Sequence, residues 1–139
     1  VIRSIVARLL EPGTPFAIAG GAGSLAAVKD RPLQVPAVYV YIASERSAAN
    51  DRITGILQRS GIDVSVVIIT ENLSGTDDFE AAEDIENLKA YVRRKLIGFV
   101  ADGLDDPLEH VTGELQQAIS GTIWFEDVYS SARYLEEQD

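Results

Sequence analysis

Three groups of residues in this chain have types and spacings that can do chemistry. The first is the run GGAGSLA, residues 21 to 27. Gly21, Gly23 and Ala26 fit a G-x-G-x-x-A spacing behind the apolar run Phe16 to Ala19, and Glu45 closes the next apolar run, about twenty residues on. That is the outline of a dinucleotide fingerprint, in which glycine backbone approaches a pyrophosphate and an acid binds a ribose hydroxyl. The leading strand is short, however, and Pro32 limits the following helix to about two turns. A turn before a short helix, Leu25 to Lys29 capped by Ser24, is the expectation, and a small nucleotide-binding domain on Gly21–Ala26 is the alternative. No Gly-Lys-Ser/Thr follows the glycines, so the loop is not a P-loop.

The second group is His110, the single histidine, beside Glu109. In a strand these neighbours point to opposite faces, and no serine or cysteine elbow exists to partner the imidazole. His110 reads as a half-buried polar strand residue. The third group is Asp102, Asp105, Asp106 and Glu109, which lack the spacing of a calcium loop and read as a solvated acidic loop. The acids at 77, 78, 80, 83 and 84 are what a helix N-terminus favours. No catalytic, cofactor-binding or metal-binding residue is expected.

The elements that would position these groups follow from hydrophobic period. Residues 1–11 read as a helix through Ile2, Ile5, Val6, Leu9 and Leu10, ended by Pro12-Gly13. Ala37 to Ala43 alternates as a strand, Ser44 to Asp51 reads as a polar loop, and Ile53 to Gln58 as a short strand. Ile62 to Thr70 is the strongest strand; its apolar end implies cover on both faces. A long helix is expected over about 77–98, with Asp77 and Glu80 as a capping box and Ile85, Leu88, Val92, Leu96 and Phe99 as its buried stripe. Residues 108–130 read as a hairpin turning at Ser120-Gly121, and 134–139 as a frayed acidic tail. The result is one α+β domain over 1–139, a mainly antiparallel or mixed sheet packed by an N-terminal and a long helix.

Composition narrows the function classes. With 139 residues the chain suits one domain with its own core. There is no cysteine, which excludes disulfides, thiolate metal sites and a cysteine nucleophile. No apolar run is long enough to span a membrane, and no secretory signal pattern is expected. A net charge of −10 repels a phosphate backbone, so a general nucleic-acid binder is not expected.

The hairpin is apolar on both faces. A simple two-residue turn puts Val111, Leu115, Ile119, Trp124 and Val128 on one face and Ile123, Phe125 and Tyr129 on the other. One face can pack on helices and the other on a subunit; both can equally be core. The same register sets Glu114 against Asp127, an unfavourable pair that calls for a bulge, a slip or a longer turn.

The stretch GFVADGLDDPLEHVTGELQQAISGTIWFEDVYSS resembles phage tail terminator, or tail-completion, proteins. The similar features are Gly98-Phe99 after a long helix, the DPLE strand from Asp106, Gly113-Glu114-Leu115, and the G-x-x-W strand from Gly121 to Tyr129. Upstream, LAAV and PAVYVYIASE fall in the family's order. The resemblance implies a non-enzymatic virion protein of the tail and neck, assembled in the host cytoplasm. Such proteins form a homo-hexameric ring on the head-proximal end of the tail tube. The ring ends polymerisation and meets the head-tail connector, while genomic DNA passes through its lumen without specific binding. No cofactor and no membrane are implied. Another neck or head-completion connector protein is the alternative. Under this resemblance the candidate subunit or tube contacts are Arg46 and Arg52, which suit acidic surfaces, and Ile123, Trp124, Phe125 and Tyr129 of the hairpin.

Overall fold

A computed structural model describes residues 1–28, 32, 34–71, 78–119 and 121–138, with the side chains of 78–82 and 119 left out. The order is α1 (Ile2–Leu9), β1 (Ile18–Gly20), α2 (Ala22–Ala27), β2 (Ala37–Ser47), β3 (Leu57–Glu71), α3 (Asp78–Leu96), β4 (Glu109–Ile119) and β5 (Thr122–Glu136). The strands form one mixed sheet in the order β1-β2-β3-β5-β4. Only β1 and β2 run parallel; every other pair is antiparallel. The α+β expectation holds.

Two cores sandwich the sheet. On one face Val38, Val40, Val64, Val66, Ile68 and Tyr129 pack under α1 and α3. The expected stripe of α3 is found there: Leu88, Val92 and Leu96 buried, with Ile85 and Phe99 against them. The alternate residues Ala37, Tyr39, Val67, Ile69 and Trp124 form the second core, with Leu25 and Val28 packed on it. This is why the end of β3 is apolar on both sides.

Several boundaries differ from the sequence reading. Helix α1 stops at Leu9, and Leu10 turns out of the helix into solvent. The strand expected at Ile53 starts instead at Leu57, because Gly55 takes a positive φ of 78° and closes a loop. That strand and the one expected at Ile62 are a single element, β3. The supposed loop at Ser44 is strand as far as Ser47, past an irregularity between Ile42 and Ser44. The tail expected to fray is strand through Glu136, since Leu57, Gln58 and Arg59 pair with Glu136, Leu135 and Tyr134. Ser24 lies inside α2 rather than capping it; Gly21 holds the N-cap position. Asp77 and Ser120 lie outside the described residues, as does the Glu80 side chain, so the capping box and part of the hairpin turn are not described.

Candidate assembly surface

The sheet is longer than its cover. Beyond Ile62 the three strands β2, β3 and β5 continue as an arm of mostly exposed and half-buried residues, in which Ser60 on β3 and Ala132 on β5 are the buried positions. Hydrogen bonds and ion pairs hold this arm. Arg133 meets Glu45 at 2.6 Å and Arg59 meets Asp106 at 2.8 Å. The backbone N–H of Tyr134 donates to Asp105 at 2.8 Å. Asn50 ties the connecting loop: its Oδ1 accepts from the N–H of Leu57 and its Nδ2 donates to the carbonyl of Gly55. The loop therefore holds a shape while presenting Ile53 fully exposed at its tip, with Tyr134 and Leu135 also exposed on the arm.

The sequence candidates fall into three environments. Arg46 is exposed on β2 and has no ion-pair partner among the described residues. Arg52 is exposed in the loop, 3.7 Å from Glu136. Ile123 and Phe125 are half-buried on β5, and Lys89 of α3 sits 4.4 Å above the Phe125 ring. Trp124 and Tyr129, at 7% and 0% exposure, belong to the two cores of their own chain. Those two cannot contact a partner directly, because α1, α3 and the α2 side already cover them. The structure thus brings Arg46 and Arg52 together on the arm and separates them from the hairpin aromatics.

The simple hairpin register is also corrected. A shift between Leu115 and Gln117 sets Glu114 opposite Glu126 and Gly113 opposite Asp127, and a second between His110 and Thr112 sets His110 opposite Tyr129. Bulging was the expected escape from a Glu114–Asp127 pair, and it moves Leu115 to the face of Phe125 instead of that of Trp124.

Sequence reasoning missed what Asp127 does. Its carboxylate, with no exposure, accepts from Arg93 Nη2 at 2.9 Å and Nε at 3.1 Å, and from the Tyr129 hydroxyl at 3.0 Å. His110 Nε2 lies 3.2 Å from the same carboxylate. The bond to Asp127 is the main cause raising the Arg93 pKa, and burial, then the Asp127 charge, push the Tyr129 phenol up. A Cβ on Gly113 would stand 2.8 Å from Asp127 Oδ1, so only glycine fits beneath the cluster. The cluster ties the end of α3 to β4 and β5. His110 within it is half-buried, as the sequence reading has it. The visible signal was a glycine and a histidine in one edge strand opposite an acid between aromatics.

The glycine run and Glu45 are not arranged as the dinucleotide fingerprint would have them. Helix α2 has six residues, and a Cβ on Gly23 would meet nothing. Glu45 bonds Arg133 on the arm, six residues along β2 from Tyr39, the partner of Gly20, or about 20 Å away. Asp105 and Asp106 are engaged by Tyr134 and Arg59. Among the described residues no three His, Cys, Asp or Glu converge as metal ligands, and no helix is long and apolar enough to cross a membrane.

A family model for the phage tail terminator protein matches residues 2–138. The chain belongs to the phage tail terminator family. The tail terminator fold also recurs in a solved chain from the virion of a native gene transfer agent particle. That chain is 16% identical, with a TM-score of 0.60, over 95% of this chain and 92% of that one. A comparison with curated protein sequences found no match.

Proposed function

We propose that this chain is a non-enzymatic virion protein that assembles six-fold into a ring on the head-proximal end of a phage tail tube. The ring ends tube polymerisation and presents the surface that joins the head-tail connector. The observation that carries this reading is the family match across residues 2–138. The surface is compatible with it. The arm is tied by hydrogen bonds and ion pairs yet lies under no helix of its own chain, and it presents Arg46, Arg52 and the apolar Ile53. Half-buried Ile123 and Phe125 remain candidate contacts, with Trp124 and Tyr129 as the packing beneath them. The acidic balance of −10 suits a lumen through which DNA slides without adhering. No cofactor takes part, and assembly takes place in the host cytoplasm.

The test is the native mass of the purified chain, alone and with isolated tail tubes. Six copies retained at one tube end, with tube growth stopped, support the reading. A chain that stays monomeric and ignores tubes rejects it.

A further inference from the structure

The sheet has two open edges, and they are complementary. On one side β1 covers β2 only from Ala37 to Tyr39, which, among the described residues, leaves the outer edge of β2 from Tyr41 to Ser47 without a strand. On the other side β4 is the last strand, and its residues 111–118 are exposed. An open edge is a row of unpaired backbone donors and acceptors ready to take another strand. Each edge also has a regular stretch of four residues bounded by an irregularity. On β2 it is Ser44 to Ser47, and on β4 it is Thr112 to Leu115.

The charges on these stretches match. Arg46 is a cation with no carboxylate partner among the described residues. Glu114 faces Glu126 across the β4–β5 ladder with no ion-pair partner among the described residues, a like-charge pair that is unfavourable as it stands. Both side chains lie on the sheet face away from α1 and α3. Arg46 pairs with Gly61, which alternates away from Ile62, and Glu114 pairs with Glu126, which shares the face of Trp124.

We propose that β4 of one copy pairs with the open edge of β2 in the next copy, setting Glu114 against Arg46. This inference rests on the ring reading above and names the contact that closes it. The directions agree. Strands β2, β3, β5 and β4 alternate, so a neighbour in the same orientation presents β2 antiparallel to β4. The fit along the edge agrees too. Counting five residues from the Glu114–Arg46 pair brings Ile119 beside Tyr41, just short of the segment that β1 occupies.

The stagger is that of a closed sheet. Arg46 is level with Ala132 of β5 through Gly61, whereas Glu114 is level with Glu126. The offset per copy is therefore six residues (132 − 126), about 20 Å along the strands, over four strands about 19 Å wide. That slope corresponds to strands tilted by about 45°, at the upper end of the range for closed barrels. The pairing is heterologous, with a different patch on each side, as ring closure requires. It also covers Val111 and Leu115, two exposed apolar residues of β4.

The absence of cysteine makes the test clean. A chain carrying both Arg46→Cys and Glu114→Cys, assembled alone or on tail tubes, is treated with a short bis-maleimide. The expected product is a ladder of covalent multimers ending at the ring, while either single variant stays monomeric. Separately, Arg46→Glu is expected to weaken assembly by roughly tenfold or more, and adding Glu114→Arg in the same chain to restore it. Circular dichroism verifies that each exchange variant is folded. If the wild-type chain forms rings but the double-cysteine chain yields no ladder, or the exchanged pair stays impaired, edge pairing is overturned and the ring reading survives. If the wild-type chain forms no ring alone or on tubes, the ring reading falls and this contact with it.

Discussion

Strand β3 crosses two different regions. From Val64 to Thr70 every residue is buried, whereas from Leu57 to Gly61 only Ser60 is. Both stretches pair with β5 along their length, and β2 pairs with the second only at Ser60 and Gly61. The ladder is thus common to both, and cover is the variable. The first stretch lies between two apolar cores and supplies the hydrophobic burial that folds the chain. The second is held by Asn50 and by ion pairs that solvent screens, which add little to stability. A region can therefore be well ordered and still contribute little to stability.

The comparison breaks if damage to the arm costs as much as damage beneath α3. The largest loss is expected from Asp127→Ala, which leaves Arg93, His110 and Tyr129 without their shared acceptor. Breaking a buried pair costs about 3–5 kcal/mol, and Arg93, one-third exposed, places this case at the lower end; urea unfolding measures it. Gly113→Ala comes next. Its Cβ would meet Asp127 Oδ1 at 2.8 Å, Arg93 Nη2 at 3.0 Å and Phe125 Cε1 at 3.1 Å. Such overpacking costs about 1–3 kcal/mol and should appear as a lowered denaturation midpoint. On the arm, Asn50→Ala removes the ties to Gly55 and Leu57 and should cost about 1 kcal/mol. Faster amide exchange confined to residues 48–57 would confirm that the loss is local.

Two smaller effects sharpen the contrast. The Lys95 ammonium, bonded to Glu11 at 2.8 Å, holds the Glu11 carboxyl below the usual value against the opposing effect of burial, with the Lys95 charge and then Arg8 adding to the lowering. The folded value is depressed, so this tie between α1 and α3 is complete above the ordinary glutamate pKa. It is lost as pH falls through the lowered value. Glu11→Gln should flatten that acid limb in melts taken from roughly pH 6 to 2. The smallest change in stability is expected from Ile53→Ser, within about 0.5 kcal/mol, because Ile53 is fully exposed. If the arm meets the tube, the same variant should nonetheless weaken retention in a tube-binding assay.

Much of the fold was legible because periodicity reports burial. The α3 stripe, the strand at Ala37 and the strand ending at Thr70 were found where their alternation or helical spacing placed them. The arm was not legible for the same reason. Ser44 to Ser47 and Tyr134 to Glu136 are covered by no layer, so they show no alternation and look like loop and tail. Of the candidate contacts, Arg46 and Arg52 were placed on open surface. The aromatic signal of the hairpin was real but reported core at Trp124 and Tyr129.

By itself the sequence determined the number and kind of the covered elements and their family, since hydrophobic spacing and short motifs are local properties. Tertiary structure alone decided which residues remain outside. One shift of register in β4, between Leu115 and Gln117, moved Leu115 across the sheet and put Gly113 beneath Asp127. Arg93 came from α3, thirty-four positions away in sequence, to neutralise that carboxylate. Three strands extended past their helices and left two edges open. None of this is written in local spacing, because a buried charge and an open edge are both defined by what stands beside them.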